Sequence, residues 1–564
     1  MPDAGSRAWP WWALVALTVY TALLVSLAFP LSGQINPDGV AYLRIAGYYL
    51  SGDLGKAVSG YWSPLYSWLL VPWLAAGVPG LLATKLLGAL LALCWVVGVA
   101  CLGRRYLESG IMRASLVVAA GMSVLGWSME IITPDLLVAV LLTYYFWMAL
   151  DPATAGRAPR AFVCGLLGGL AYLAKAYAFP FFVAHFLLTV ALAGWAHPSP
   201  RPLRRYAVAT VAGMIGFLLV AGPWIFVLSA KYGRPTITTA ASRRNIPAAV
   251  VFRATNPDRA PFSAGQKLAR VQAGRITAWE NPDEAAYAAS VSVPAPATAP
   301  RPTIKPGRLR VILSNLIVVR DELSEFDYLH LALAAVVAAG FMGLLRGPSS
   351  ASGARYLWGF ATVALYAIGY LPLWARESRY YWPVAGLLMV LSFAMAEELA
   401  RAVTRPSAAP GDRPIHRGRW MVLAALVVAG SYAQVACEWL VDHYPPRAPN
   451  FASLAAQLGT EAAKHGTKLE GPLAGNDWPS TVHLAYLMNQ PSYGTTTVED
   501  PAALAAELSQ LGIRTYLVFN NQSLAERLTR SAGFRPLADL SMTPPPESRG
   551  TLAAFEVVGQ PAGR

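Results

Sequence analysis

Charged residues are scarce in this sequence. They make up 13% of its 564 residues, while hydrophobic residues make up 55%; a soluble domain usually carries about 25% charge. The mean hydropathy is +0.41, and the apolar runs recur at about 20 residues, long enough to cross about 30 Å of hydrocarbon. This balance excludes an ordinary soluble protein and predicts a polytopic α-helical membrane protein.

Cysteines and nucleotide-binding motifs are also scarce. The four cysteines, Cys94, Cys101, Cys164 and Cys437, lie inside or beside apolar runs, and none has CxxC spacing. Neither a disulfide framework nor a zinc site is therefore indicated. The C-terminal region contains no GxGxxG sequence and no P-loop, so we predict no nucleotide site there.

Acidic residues are outnumbered by basic ones, 31 to 45, which gives a formal net charge of +14. Such an excess can indicate nucleic-acid binding. Here, however, the basic residues cluster in short loops between apolar runs, as the positive-inside rule predicts for cytoplasmic loops. We predict no nucleic-acid partner and assign the arginine-rich face to the cytoplasm.

The apolar runs predict about eleven transmembrane helices, the first being an uncleaved span rather than a signal peptide. Their predicted limits are 11–29, 81–102, 114–130, 135–150, 161–178, 180–196, 206–228, 329–346, 355–373, 379–396 and 419–436. This arrangement makes residues 1–436 a transmembrane module with external loops 30–80 and 229–328. Two amphipathic or Pro-broken stretches, 39–50 and 62–77, are predicted to lie in the membrane interface.

The tail from residue 437 to residue 564 has a different pattern. "GPLAGND", "RTYLVF" and "TLAAFEVVG" read as short strands, and they alternate with helical patterns at 451–466, 501–511 and 523–532. Alternating strands and helices predict a small extracytoplasmic α/β domain with a partly parallel sheet.

Four short stretches on the predicted outer face contain candidate site residues. The first is Asp38 in "INPDGVAYLR". An Asp before a helix can be an N-cap, the interpretation that the spacing alone favours, and it can also be a general base that takes a proton from an acceptor hydroxyl. From the sequence, both interpretations stay open.

The second place is "MEIITPDLL", with Glu130 and Asp135, and the third is Lys175 in "GGLAYLAKAYAFP". Pro134 can open a helix whose positive end favours Asp135 without any site role. A Lys near a helix end can simply extend to water, or it can bind phosphate.

The fourth place is "WARESRYYWP", where Arg376, Glu377, Arg379 and Tyr380 fall between two spans. Guanidinium groups match phosphate with paired, directed donors. Glu377 can hold one arginine in place. This turn is therefore predicted to cradle an anionic head group, the leaving phosphate of a lipid carrier, while a carboxylate activates the acceptor.

Five features follow one another along the chain: the early external Asp38, "SPLYSWLL", "TPDLLVAVLL", "GLLGGLAYLAKAYAFP" and "ESRYYWPV". In this order they resemble the GT-C fold polyprenyl-phosphate-sugar-dependent glycosyltransferases. The similarity covers roughly residues 10–400 as a pattern. It is nearest to the bacterial branch related to protein O-mannosyltransferases and to the lipid A aminoarabinose transferase, of the glycosyltransferase family 39 type.

The resemblance implies inverting hexosyl or pentosyl transfer from an undecaprenyl- or decaprenyl-phosphate sugar to a glycan, lipid or protein acceptor. It implies that Asp38 is the catalytic base and that Asp135, with Glu130, is the second acidic position. The remaining family matches are Lys175, Glu377, Arg379 and Tyr380. With the neighbouring Arg376, they are predicted to bind the donor phosphate and sugar. The reaction would take place at the cell inner membrane, with the site and the C-terminal domain facing the periplasm.

The sequence departs from the family at two positions. Trp62 stands where members often have Lys in Lys-Pro-Pro-Leu, and Gly39 stands where an acidic residue often follows the early Asp. No metal ligand set is predicted, although the acidic groups leave room for a divalent cation. The alternative function is a lipid or lipid-linked-sugar flippase, which inverted repeats and mid-membrane charges would favour.

Overall fold

Long helices dominate the structure, which is a computed structural model. It describes residues 11–150, 156–196, 202–240, 327–347, 350–370, 378–404, 415–443, 451–466, 469, 471–490, 492, 500–510, 512–542 and 550–558. In chain order, the helices up to residue 443 are α1 (Trp11–Ala28), α2 (Pro37–Ser51), α3 (Leu54–Ala57), α4 (Leu65–Ala75), α5 (Gly80–Gly103), α6 (Gly110–Met129), α7 (Asp135–Ala149), α8 (Ala158–Ala174), α9 (Ala178–Ala196), α10 (Pro202–Tyr232), α11 (Asp327–Arg346), α12 (Ala351–Tyr370), α13 (Trp382–Val403) and α14 (Ile415–His443).

All of these helices except α2, α3 and α4 coincide with a predicted span, so the prediction of a polytopic α-helical fold is confirmed. Within the described ranges, five helices are both long and apolar enough to cross a membrane by length and composition alone: Gly80–Gly103, Gly110–Met129, Arg204–Tyr232, Arg379–Val403 and Gly418–Val441. The last helix, α14, continues to His443, beyond the span end predicted at 436.

Helices α2 and α4 occupy the stretches predicted to lie in the interface. With 11 residues, α4 is about 16 Å long, too short to cross the hydrocarbon. The two helices pack together: the rings of Tyr42 and Tyr66 meet edge to face at 5.3 Å, and Ser67 donates a hydrogen bond to the Tyr42 carbonyl at 3.0 Å. They form a platform beside the bundle.

Small residues allow close approach inside the bundle. A Cβ added at Gly165 of α8 would overlap the Gly213 carbonyl of α10, and one added at Gly216 would overlap the Phe162 carbonyl. Such small-residue contacts bring helix backbones together where lipid provides no hydrophobic drive.

The bundle has two chemically different ends. The start of α2, the turn between α6 and α7, the end of α8 and the 3-10 turn Ser378–Tyr381 before α13 share one end, as their side-chain contacts show. The opposite end carries Arg355 near the start of α12 and Arg401 near the end of α13. Because α13 runs from one end to the other, Arg401 and the described arginines beside it lie away from the predicted site.

The C-terminal region forms the predicted small α/β domain. Its elements are α15 (Phe451–Lys464), β1 (Leu473–Gly475), α16 (Trp478–Leu487), α17 (Pro501–Gln510), β2 (Thr515–Phe519), α18 (Gln522–Thr529), β3 (Phe534–Met542) and β4 (Gly550–Val557). The strand order is β1-β2-β4-β3, with β1 and β2 parallel and β4 antiparallel to both neighbours.

Alternation along β2 builds two cores. Tyr516 and Val518 face one side with leucines of α17 and α18, while Leu517 and Phe519 face the other with residues of α15 and α16. Successive side chains of a strand point to opposite faces, so a single sheet carries helices on both sides.

Candidate active site

The Asp38 carboxylate is paired with an arginine. The N-cap of α2 is Asn36, Pro37 is the first helical residue, and Asp38 lies in the first turn. Its Oδ2 accepts a hydrogen bond from Nη2 of Arg379 at 2.9 Å. The structure therefore does not support the N-cap interpretation of Asp38, and the carboxylate, 30% exposed as a side chain, is available to a ligand.

Asp135 is the second carboxylate of the same cluster. It is the first residue of α7 and is almost fully buried. Its Oδ1 pairs with Nζ of Lys175, and its Oδ2 accepts a hydrogen bond from Thr133 Oγ1 at 2.6 Å. The same Oδ2 lies 4.0 Å from Nε of Arg379, so Arg379 lies between the two carboxylates.

The charges of the cluster alternate. Asp38, Arg379, Asp135 and Lys175 form a continuous chain of ion pairs. Buried charges need partners because unpaired ones carry a large desolvation penalty, and here two cations and two carboxylates neutralise each other. An anionic ligand that reaches Arg379 and Lys175 would compete with both carboxylates.

The backbone sets the position of Lys175. It is the C-cap of α8 and has an extended conformation, which turns the chain away from the helix. Its ammonium lies 4.2 Å from the centre of the Tyr380 ring, and the Arg379 guanidinium lies 5.5 Å from the same ring. Lys175 therefore points into the cluster rather than simply extending to water.

An aromatic wall supports the Tyr380 backbone and ring. Tyr366 donates a hydrogen bond to the Tyr380 carbonyl at 2.9 Å, and the ring of Tyr370 stacks at 5.8 Å on that of Tyr380. The ring of Tyr177 in turn stacks on the ring of Tyr370, with the ring centres 3.8 Å apart. The wall fixes the turn that carries Arg379.

Asn36 clamps the start of α2 to the turn before α7. Its Nδ2 donates to the Ile132 carbonyl at 3.3 Å, and its Oδ1 accepts from the Ile132 amide at 2.8 Å. The two residues are 96 positions apart, so no local sequence signal marks this contact. The clamp brings the helices that carry Asp38 and Asp135 together.

Gly39 makes this approach possible. A Cβ at this position would lie 2.7 Å from the Cβ of Ile132, closer than packed carbon atoms approach. The family departure at position 39 therefore has a physical reason in this chain: a side chain there would push the Ile132 turn away from α2.

Tyr42 lies one turn after Asp38 and stays neutral. Burial, together with the charges of Asp38 and Asp135, raises the pKa of its phenol, while Arg379 acts in the opposite direction. The tyrosine adds no charge to the cluster.

Three predicted site residues are not part of this described cluster. Arg376 and Glu377 lie outside the described residues. Glu130 is half-buried directly after α6. Lys85 of α5 is buried and donates a hydrogen bond of 2.5 Å to the Met129 carbonyl, a contact that no signal in the sequence predicts.

The donor set does not match a metal site. Nowhere in the described ranges do three or more His, Cys, Asp or Glu side chains group in a way that could hold a metal ion. Asp38 and Asp135 are engaged by guanidinium and ammonium groups. The described residues of this cluster therefore do not fit a divalent cation.

A separate cavity of about 930 Å³ lies at the arginine-rich end, lined by Arg346, Arg355, Tyr356, Glu398 and Arg401 among others. Its arginines are paired locally, with Arg346 bound through two nitrogens to Glu398 and Arg401 to Glu108. It lies away from the carboxylate cluster and is not part of the candidate site.

Comparison with known proteins identifies the fold. No family model matches the sequence, and neither does any curated protein. The archaeal oligosaccharyltransferase AglB from Archaeoglobus fulgidus, solved with an inhibitory peptide and a dolichol-phosphate, aligns with a TM-score of 0.52 at 12% identity, over 92% of this chain and 71% of that one. ArnT from Cupriavidus metallidurans, bound to undecaprenyl phosphate, aligns with a TM-score of 0.51 at 14% identity, over 96% and 97% of the two chains.

The arabinofuranosyltransferase AftD from Mycobacteria aligns with a TM-score of 0.51 at 17% identity, over 99% of this chain but 40% of that one. These neighbours are GT-C glycosyltransferases. The chain therefore has the GT-C fold of membrane glycosyltransferases, as the sequence resemblance predicts. At these identities the similarity establishes only the fold, and the reaction has to be inferred from the residues of the site.

Proposed function

We propose that this protein is a membrane glycosyltransferase that moves a sugar from a polyprenyl-phosphate carrier to an acceptor hydroxyl. The observation that carries the proposal is the ion-pair chain of Asp38, Arg379, Asp135 and Lys175. It supplies a partly exposed carboxylate and two cations at one end of a GT-C bundle. The polyprenyl phosphates bound by ArnT and AglB support the kind of donor.

The cations are suited to the leaving group. As the sugar–phosphate bond breaks, the departing phosphate gains negative charge, and positive groups already in place stabilise this charge in the transition state. Arg379 and Lys175 are proposed for this role, with Tyr380 orienting both through its ring. Arg376 and Glu377 are proposed, from the sequence alone, to bind the donor substrate.

Asp38 is proposed as the general base. The acceptor oxygen forms a bond to the anomeric carbon, the bond from that carbon to the phosphate oxygen breaks, and the hydroxyl proton passes to Asp38. A single displacement inverts the anomeric configuration. Asp135 is proposed to hold Lys175 and Arg379 in place through its two oxygens, and Glu130 stays a candidate second acid.

We place the reaction on the outer face of the cytoplasmic membrane. The described arginines Arg355 and Arg401 lie at the opposite end of the bundle from Asp38, and basic loops mark the cytoplasmic side. On this assignment the C-terminal α/β domain also faces the periplasm or exterior. We propose that the platform of α2 and α4 lies in the membrane interface and holds Asp38 at headgroup depth, where a lipid-linked sugar presents its phosphate.

The proposal is tested by removing the gene and analysing envelope glycans and lipid-linked sugars by mass spectrometry. We expect one glycan to lose a sugar and the corresponding polyprenyl-phosphate sugar to accumulate. The same purified protein should form the inverted product from that lipid in proteoliposomes. Translocation of the lipid without product would contradict transfer and favour the flippase alternative.

A further inference from the structure

The side chain of Arg44 connects α2 with the C-terminal domain. Its Nη1 donates to Oδ1 of Asn489 at 3.0 Å, and its Nη2 donates to the carbonyls of Ala485 at 3.3 Å and Gln490 at 3.0 Å. The guanidinium also lies 5.3 Å from the centre of the Tyr486 ring. These acceptors lie at and just beyond the C-terminal end of α16, where the helix dipole favours a cation.

The partner surface is shaped for this contact. Asn489 has a φ of +52°, a left-handed conformation that Asn tolerates better than most residues, and its side chain is thereby turned toward Arg44. Tyr486 also meets the start of α5, where a Cβ at Gly80 would lie 2.5 Å from the tyrosine hydroxyl. The end of α16 is thus seated on both α2 and α5.

The helix held in this way is the one that carries Asp38. Asp38 and Arg44 are six residues apart on α2, about 9 Å along the helix axis. The start of α2 is clamped by Asn36 to Ile132, and its middle packs on α4 through Tyr42. Arg44 supplies the contact from the C-terminal domain, so α2 is held between the bundle and that domain.

We infer that Arg44 is a positioning residue through which docking of the C-terminal domain keeps Asp38 at its place beside Arg379. This inference rests on the proposed function. Loss of the contact removes one of the restraints on α2 and lets its turns open and move more easily, and small displacements of a reacting group are costly in rate. The donor phosphate is bound by residues of other elements, so its affinity should change little.

The test uses the full-length protein in lipid nanodiscs with a synthetic polyprenyl-phosphate sugar. Arg44→Met removes the donors, and Asn489→Gly removes one acceptor while keeping the left-handed backbone. Asn489→Asp keeps an acceptor and is the conservative rescue. Arg530→Met is the matched control, because Arg530 is exposed on the same domain and pairs within its own helix region with Glu526.

We expect Arg44→Met and Asn489→Gly to raise amide hydrogen exchange in α2 and to lower kcat about tenfold. Donor KM should stay within about twofold. Asn489→Asp and Arg530→Met should match the wild type in both measurements. Should Arg44→Met fail to fold, Asn489→Gly decides.

Wild-type kcat in variants whose α2 exchange has risen would overturn the inference and leave the proposed function intact. Unchanged α2 exchange in both variants would overturn it as well. A wild-type protein that transfers no sugar would contradict the proposed function, and the positioning role would fall with it.

Discussion

Nη2 of Arg379 hydrogen-bonds to Asp38 at 2.9 Å while its Nε lies 4.0 Å from Asp135. One guanidinium therefore serves two carboxylates that belong to different helices. A donor phosphate would be a third anion for the same group. Binding of the donor would then loosen the hold of Arg379 on Asp38 and make its carboxylate available to the acceptor hydroxyl.

Arg379→Lys tests this shared role. A lysine ammonium is a compact point charge that lacks the planar fork needed to serve two directed partners. Loss of one charge-assisted hydrogen bond is worth about 1.5–3 kcal/mol, so kcat/KM for the lipid-linked sugar should fall about 10- to 150-fold. Steady-state kinetics measure this, with Arg530→Lys as the surface control. Wild-type kcat/KM in Arg379→Lys would contradict the bridging role.

Lys175→Met separates the binding of phosphate from the pairing of Asp135. The single variant leaves a buried carboxylate without its ammonium, which should destabilise the fold by about 3 kcal/mol and weaken donor binding. Adding Asp135→Asn removes that charge and should restore thermal stability without restoring transfer. Full transfer by the double variant would show that Lys175 serves only to neutralise Asp135.

Asn36→Leu should disturb the turn that presents Asp135. The substitution keeps a side chain of similar size but removes both hydrogen bonds to Ile132, each worth about 1 kcal/mol. We expect a lower thermal unfolding temperature and a transfer rate reduced about tenfold. Asn36→Asp keeps the acceptor for the Ile132 amide, so its unfolding temperature and transfer rate should fall less than those of Asn36→Leu. Equal losses in the two variants would argue against the clamp.

His483 should make the stability of the C-terminal domain depend on pH. Burial, opposed by the nearby Asp477, lowers the pKa of His483 to about 4, whereas the pKa in the unfolded chain is about 6.5. The unfolded state therefore binds more protons between these values. Stability is fully present above about pH 6.5 and is lost as the pH falls toward about 4, by up to roughly 3 kcal/mol.

Thermal unfolding of the full-length protein at pH 7.5 and pH 5 measures this dependence. His483→Leu should reduce the difference between the two unfolding temperatures, because the titrating group is gone. His465→Leu is the control, since His465 is exposed at the end of α15. The same pH dependence in wild type and His483→Leu would exclude His483 as its source.

The sequence was sufficient to predict the membrane part of the fold because spans depend on local apolar length. Helices such as α5 and α13 needed only a hydrophobic run of sufficient length. The C-terminal domain was harder to predict. The parallel pair of β1 and β2 followed from alternating strand and helix patterns, while β3, "FRPLADLSM", was missed because polar residues and a proline interrupt its apolar pattern.

The sequence marked several charged residues of the cluster one by one, but it did not show how they contact each other. Asp38, Lys175 and Arg379 stood out because charges near a membrane are costly. Their shared contacts depend on pairs far apart in the chain, such as Asp38 and Arg379 at 341 positions. Thr133 and Asn36 carried no signal, since an uncharged polar residue in a turn is common. Arg44 was visible as a charge, but its partners come from the C-terminal domain.

Asp38→Asn is the most direct test of the account, because it keeps the shape of the side chain and removes the base. The measurement is the rate of sugar transfer from a purified polyprenyl-phosphate sugar in proteoliposomes, beside an equilibrium binding measurement for the same lipid. The account predicts a kcat lower by about two to four decades with donor binding retained. Unchanged turnover in Asp38→Asn would contradict it.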